Sequence, residues 1–302
     1  MPLPTKHILH QGPVLASLGG TVLSALRQRM SGETGSTPEL PGPELTCVIP
    51  PRPRELLRDY VRHVGGDPAA YKRIVPPHLF PQWGFPLATQ TLRGLPYPLA
   101  RVLNGGCRME MNSPLPAGSP LRVRARLEEI DDNGKRAILK QRVVTGTDDH
   151  PDALVCYLYA IVPLGGKGDK RDGPKPKKEP KRVPQQAAEV GFWKLRQDAG
   201  LAFAMLTGDF NPVHWIRPYA RMFGFRSTIL HGFSTMARAY EGLVRTVFAG
   251  ATGAMRSFDV QFTKPLILPA RVGLYLDGDQ VYVGDAPGGP AYLVGTITRA
   301  DP

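Results

Sequence analysis

The sequence of 302 residues is poor in the features that mark secreted, membrane-spanning and nucleotide-binding proteins. Its three cysteines, Cys47, Cys107 and Cys156, include no C-x-x-C pair, which excludes a disulfide framework and a zinc knuckle. No window approaches about 18 uninterrupted apolar residues, so we expect no membrane span. A Gly-rich phosphate loop, a nucleophile elbow and a Cys-His arrangement are also missing. These absences predict a soluble protein in a reducing, cytoplasmic compartment.

Acidic residues are scarce as well, since 26 Asp and Glu oppose 38 Lys and Arg for a net charge of +12. Much of the excess lies in GGKGDKRDGPKPKKEPKRVP, residues 165–184, which holds eight basic residues, three acids and four prolines. Such a composition cannot bury a core, so it predicts an extended linker between two folded halves. The linker is either a solvated tether or a basic surface for an acidic partner. Nucleic acid is not an expected partner, because the run has no interleaved aromatic residues.

The N-terminal extension, residues 1–44, has no acid before Glu33. Its apolar positions around Val14, Leu18 and Val22 are interrupted by glycines, without a compact apolar core and a small-residue cleavage site. We therefore predict a docked amphipathic helix, with a signal or transit peptide as the alternative.

Two stretches of the first half resemble stretches of the second. YVRHVGGDPAAYKRIVPPHLFPQWGF (60–85) parallels FAMLTGDFNPVHWIRPYARMFGF (203–225) through an apolar lead-in, Gly-Asp, a turn and Gly-Phe. MNSPLPAGSPLRVRARLEEI (111–130) parallels FTKPLILPARVGLYL (262–276), each a Pro-Leu followed by strand-like alternation. The pattern predicts two related units, 45–164 and 185–302.

The segment TGDFNPVH, residues 207–214, holds a carboxylate, a carboxamide and an imidazole on one short loop. Asp209, Asn211 and His214 are residue types that turns use, so each alone is ordinary loop punctuation. Together they offer two acid-base groups that can reach one water molecule, with the loop stiffened by proline. The first half has Ala69 and Lys72 at the positions of Asn211 and His214. One site per chain follows.

Downstream of this loop, Pro218 opens a short helix that Gly224 can close. HGFSTMARAYEGLVRTVFAG (231–250) then shows apolar residues at spacings of three and four, which predicts a central amphipathic helix ending at Gly250. Four alternating or apolar runs separated by Gly-containing turns follow, as in antiparallel strands. They are SFDVQFTKPL, LPARVGLYLDG, QVYVGDA and AYLVGTITR.

The combination of TGDFNPVHWIRPYARMFGF with ILHGFSTM resembles the signature of MaoC-like dehydratases, the R-specific enoyl-CoA hydratases. The resemblance covers residues 190–302 well. The first half resembles the degenerate unit of double hot-dog members, which keeps the fold and loses the catalytic residues. The resemblance implies an α+β double hot-dog, each unit an antiparallel sheet wrapped around a central helix, with residues 45–164 binding the acyl chain.

The resemblance also implies site roles. Asp209 and His214 are the catalytic pair, Asn211 orients them or contacts substrate, and the backbone N–H of Gly232 stabilises the oxyanion. Charge growing on a thioester oxygen needs such a donor, and a helix N-terminus supplies one. The expected absence of a side chain at Gly232 lets the thioester approach. A metal site formed by Asp209, His214 and His231 is the less favoured alternative.

The function implied is reversible hydration of trans-2-enoyl thioesters to (3R)-3-hydroxyacyl thioesters in fatty-acid metabolism, with no cofactor. The substrate carrier is coenzyme A or an acidic acyl carrier protein, with coenzyme A as the working carrier, and the chain is a monomeric double hot-dog or a homodimer. The alternatives are a hot-dog thioesterase and a non-catalytic acyl-thioester or protein-binding module. No function is assigned to the remaining histidines, which are His7, His10, His63, His78 and His150.

Overall fold

The computed structural model describes residues 3–12, 38–99, 102–164 and 180–300. The strands of the first half are β1 (Leu45–Ile49), β2 (Ile74–Val75), β3 (Leu103–Met111), β4 (Leu115–Pro116), β5 (Leu121–Asp132), β6 (Arg136–Gly146) and β7 (Leu154–Pro163). Those of the second half are β8 (Ala188–Leu195), β9 (Met255–Phe262), β10 (Ala270–Asp277), β11 (Gln280–Gly284) and β12 (Ala291–Arg299). The helices are α1 (Arg54–Val64), α2 (Pro81–Gln90), α3 (Ala199–Thr207), α4 (Arg217–Met222) and α5 (Gly232–Thr246).

Ten of these strands form one antiparallel sheet in the order β1-β5-β6-β7-β3-β9-β12-β11-β10-β8. The order reads the same from both edges inward, because β1, β5, β6, β7 and β3 hold the places of β8, β10, β11, β12 and β9. Strands β3 and β9 join the halves, from the pair Gly106↔Gln261 to the pair Glu110↔Ser257. Gly106 has φ +143, and a Cβ there would collide with the Val260 carbonyl, so only glycine fits at this junction.

Helix α5 is the central helix of the second half, because the sheet packs against its apolar face. Met236, Ala237, Tyr240 and Leu243 have no exposed surface, and they recur at the three- and four-residue spacing of one helix face. The helix ends at Thr246, so the predicted end at Gly250 is wrong. Gly250 instead closes the next turn with φ +87, since its N–H donates to the Val244 carbonyl at 2.8 Å.

The two halves therefore form the predicted α+β double hot-dog, with α2 as the shorter central helix of the first half. One detail of the predicted repeat is wrong. Gly84-Phe85 lies within α2, whereas Gly224-Phe225 follows α4. The second half places α4 between its Gly-Asp turn and its central helix, so 23 positions separate Asp209 from Gly232 but 14 separate Asp67 from Pro81.

The N-terminal segment is described only at its start, where Thr5–Gln11 form a 3-10 helix. His7 Nε2 lies 2.9 Å from an Asp59 carboxylate oxygen on α1. The Gln11 amide donates to the Met205 and Leu206 carbonyls of α3 at 3.3 and 3.1 Å. These contacts dock the segment across both helices. The apolar positions of the predicted amphipathic helix lie outside the described residues.

Most of the basic linker also lies outside the described residues, and the predicted unit boundaries stay predictions. Strands β1–β7 fall within 45–164 and β8–β12 within 185–302. The three cysteines are free thiols. In the described part of the chain, no helix has the length and apolarity that a bilayer crossing requires.

Candidate active site

The Gly-Asp turn of the second half is fixed by short local contacts. Helix α3 ends at Thr207, and Gly208 takes the left-handed conformation with φ +84. The Asp209 carboxylate then accepts a hydrogen bond from the Asn211 N–H at 3.3 Å. A Cβ at Gly200 would collide with the His214 carbonyl, so α3 packs closely against the far side of the turn. The turn is therefore held at both ends.

Asn211 stands before the 3-10 helix Pro212–His214 and caps it, since its side-chain oxygen accepts from the Val213 N–H at 3.3 Å. The residue is exposed. This contact accounts for an asparagine at the position without a substrate, and its orienting or substrate-contacting role stays a prediction.

His214 has a defined tautomer. Its Nδ1 lies 2.9 Å from the Ile229 carbonyl oxygen, which can only accept, so Nδ1 carries the proton. Nε2 of the neutral ring is then a free lone pair. Burial lowers the pKa of His214 below its usual value, with nearby Asp209 acting in the opposite direction. The ring is therefore a neutral base near pH 7.

His231 lies inside the site. It is the N-cap residue of α5 and is 2% exposed, and its Nε2 donates to the Asp209 carbonyl at 2.9 Å. Its ring stacks on that of His214 with centroids 3.6 Å apart and planes 25° apart. Burial, followed by the neighbouring His214, lowers the pKa of His231 to about 3. The sequence prediction treated it only as the residue flanking Gly232; a histidine at the N-cap of the central helix was the signal for more.

The metal alternative fits this geometry poorly. One possible ligand atom from each of Asp209, His214 and His231 lies within 4.8 Å of the others. However, Nε2 of His231 uses its proton on a carbonyl, and its buried Nδ1 has no partner among the described residues. Two stacked rings also direct their lone pairs in nearly parallel planes rather than at one point. The interpretation without a metal stays the favoured prediction.

Gly232 is the first residue of α5, where a backbone N–H has no acceptor within the helix. It directly follows His231, so this donor opens beside the two stacked rings. A Cβ at Gly232 would lie 2.7 Å from the Phe262 ring. The side chain is therefore excluded by packing against β9, which corrects the expectation that its absence makes room for the thioester.

A second polar cluster, the buried cluster, consists of His78, Glu241 and Tyr60. His78 Nε2 lies 2.8 Å from a Glu241 carboxylate oxygen, and its Nδ1 lies 3.0 Å from the Tyr60 hydroxyl. Each of the three side chains is at most 2% exposed. The sequence gave no function to His78, and the structure makes it a contact between the halves, since Glu241 belongs to α5.

Comparison with known proteins identifies the second half. Residues 173–283 match the family model described as "MaoC like domain". The chain is 30% identical over 174 residues to "3-hydroxyacyl-thioester dehydratase Y" of Mycobacterium tuberculosis, an alignment covering 55% of this chain and 58% of that protein. It is 27% identical over 180 residues to "Enoyl-CoA hydratase 2, peroxisomal" of Arabidopsis thaliana, covering 57% and 58%. The matched region thus spans a little over half the length of these relatives.

The fold extends the likeness to both halves. The crystal structure of a MaoC-like dehydratase from Phytophthora capsici superposes with a TM-score of 0.69 at 19% identity, covering 86% of this chain and 96% of that one. The predicted resemblance and the predicted fold class are thereby confirmed.

Proposed function

From the MaoC-like domain that this chain carries in its second half, we propose that the protein hydrates trans-2-enoyl thioesters to (3R)-3-hydroxyacyl thioesters, reversibly. The observation that carries the proposal is the placement of three groups. The Asp209 carboxylate and the free Nε2 of His214 belong to one rigid turn, and the first N–H of α5 opens next to His231, which bonds that turn. An acid-base pair beside an anion-stabilising donor is what the reaction requires.

Hydration then proceeds on a water molecule between the pair. Nε2 of His214 takes a proton from the water as its oxygen bonds to C3 of the enoyl group, and Asp209 orients the same water. Negative charge develops on the thioester oxygen, where the Gly232 N–H donates to it. The pair returns a proton to C2, so that one water has been added across the double bond. Addition of both groups from one side gives syn chemistry.

His231 supports this step by holding the turn. Its hydrogen bond to the Asp209 carbonyl and its stacking on His214 fix both catalytic side chains relative to α5. The reaction uses no cofactor and no metal.

We assign substrate binding without chemistry to the first unit. Losing one catalytic turn leaves room for a longer acyl tail, so we expect medium or long acyl chains to be preferred; this step rests on analogy. Coenzyme A is the working carrier, and an acyl carrier protein attracted by the basic linker is the alternative. The protein acts in fatty-acid metabolism, in the cytoplasm, as a monomeric double hot-dog or a homodimer.

The test is to mix the protein with crotonyl-, octenoyl- and dodecenoyl-CoA and to follow loss of the conjugated double bond, with chiral analysis of the product. We expect a (3R) product and faster turnover of the longer substrates. A clear preference for crotonyl-CoA would remove the assignment of the first unit, and a (3S) product would remove the proposed stereochemistry.

Free thiol is measured in the same reactions, because a hot-dog thioesterase would release it. Thiol release without loss of the double bond would replace hydration by hydrolysis. Binding of the enoyl thioester with neither change would leave a non-catalytic module.

A further inference from the structure

A basic cleft of about 380 Å³ opens beside the candidate active site. It is lined by Arg217, Arg226, Gln197, Ser227 and residues 267–269. Both arginines are exposed, and in the described part of the chain neither takes part in an ion pair. By contrast, the nearby Arg196 is paired with Asp198 at 2.8 Å. The cleft therefore presents two guanidinium groups with their charge available.

The cleft is connected to the proposed oxyanion donor by a short backbone ladder. Leu268 N–H donates to the Thr228 carbonyl and Leu230 N–H to the Leu266 carbonyl, each at 2.8 Å. One end of the ladder lies at the cleft and the other leads to His231 and Gly232. Six positions separate Arg226 from Gly232, a reach of at most about 20 Å for extended chain. On the other side, Arg217 follows His214 by three residues.

A substrate that places its thioester at Gly232 must leave the site along some path, and this ladder ends at unpaired positive charge. We propose that Arg217 and Arg226 bind the phosphate groups at the far end of the pantetheine arm. The inference rests on the proposed function and names the part of the substrate that the cleft takes. Guanidinium groups bind phosphate oxygens in a bidentate manner, which suits two arginines facing one cleft. The concave shape favours coenzyme A over a protein surface as the source.

Three substrates with the same octenoyl group test the proposal: the coenzyme A thioester, the 4′-phosphopantetheine thioester and the pantetheine thioester, which has no phosphate. The variant Arg217→Gln/Arg226→Gln should raise KM for the coenzyme A thioester by about tenfold or more, with kcat unchanged, because charged hydrogen bonds to phosphate are lost. KM for the pantetheine thioester should not change. The wild-type KM for the coenzyme A thioester should also rise with salt more steeply than that of the variant.

The phosphopantetheine thioester distinguishes the sources of phosphate. A loss smaller than for coenzyme A means that the cleft also binds the nucleotide phosphates, and an equal loss means that it reads the phosphate shared with carrier proteins. Either result supports the proposal. Arg93→Gln, an exposed arginine of the first half, is the matched control and should leave all three KM values unchanged.

Equal effects of the double variant on all three substrates, or no effect on any, would overturn the assignment of the cleft while hydration itself stands. No turnover of any of the three thioesters by the wild-type protein would instead overturn the proposed function.

Discussion

The two Gly-Asp turns of this chain share a backbone plan and differ in every group that could act on a substrate. Both follow a helix, and both lead into a 3-10 helix capped by a side chain of the turn. In the first turn Asp67 itself is the cap, since its carboxylate accepts from the Ala69 N–H at 2.9 Å. In the second turn Asn211 provides the cap. The second turn therefore leaves one oxygen of Asp209 available for chemistry, and its His214 replaces the exposed Lys72.

The central helices differ at their first residue in the same way. Helix α2 begins with Pro81 after Phe80, and α5 begins with Gly232 after His231. Proline has no N–H, so the first unit has lost the donor that the second unit keeps. Phenylalanine at the N-cap also cannot donate to a turn carbonyl as His231 does.

The interiors complete the comparison. Behind the first turn lies Glu241, so close that a Cβ at Gly66 would collide with its carboxylate. Glu241 comes from α5 of the second unit and bonds His78 of the first. The space that holds acid-base groups in one unit is therefore filled in the other by a sealed contact between units. A degenerate hot-dog unit keeps its fold here by converting its site into an interface.

The largest expected effect comes from making the second turn as inert as the first. Asp209→Asn and His214→Gln should each lower the hydration rate by at least about 100-fold, as for general acid-base groups, with the fold intact. Turnover of octenoyl-CoA and circular dichroism of each variant give the measurement. Lys72→Ala is the control in the first turn and should leave the rate unchanged. Near-wild-type turnover in either active-turn variant would contradict the mechanism.

Opening the buried cluster should cost stability rather than chemistry. Glu241→Ala removes one partner of a buried pair that is at most 2% exposed, so the free energy of unfolding should fall by about 3–5 kcal/mol. Urea unfolding measures it. Glu241→Gln keeps a hydrogen-bonding group of the same size and should lose less. Equal stability of the alanine variant and the wild type would show that this contact does not hold the units together.

Giving α5 the start of α2 should remove the oxyanion donor. Gly232→Pro alone also meets the Phe262 ring, so the variant is made together with Phe262→Ala. Gly232→Pro/Phe262→Ala should lose about 100- to 1,000-fold in kcat, as for loss of one oxyanion-hole donor. Gly232→Ala/Phe262→Ala keeps the N–H and the relieved packing and should lose much less. Similar losses in both double variants would assign Gly232 to packing only.

How much of this the sequence could reveal depends on the distance along the chain. The loop holding Asp209, Asn211 and His214 is local, so its spacing alone marked the site, and strand alternation with a repeated Pro-Leu marked the two sheets. His231 bonds a carbonyl 22 positions away, and His78 meets Glu241 163 positions away. Neither contact leaves a periodic signal, because each depends on how whole elements pack. The early end of α5 was missed for a related reason, since three further residues continue the chain before Gly250 closes the turn.

The smallest effect concerns pH, and it again contrasts His231 with Phe80. Burial holds the pKa of His231 at about 3 in the folded chain, against an ordinary value of 6.5. The unfolded chain therefore binds the extra proton between these values, so the stabilisation is complete above pH 6.5 and is lost as the pH falls toward 3. The loss amounts to about 1.4 kcal/mol per pH unit for this residue. His231→Phe should remove that share of the slope when unfolding by urea is compared at pH 6 and pH 5, two values about one unit apart within the window. His150→Phe, at an exposed turn of the first half, is the matched control, because folding changes its surroundings little. An unchanged slope in His231→Phe would mean that the imidazole at the N-cap of α5 accepts a proton without disturbing the fold, and the role of that ring in holding the Asp209 turn would then need a different basis.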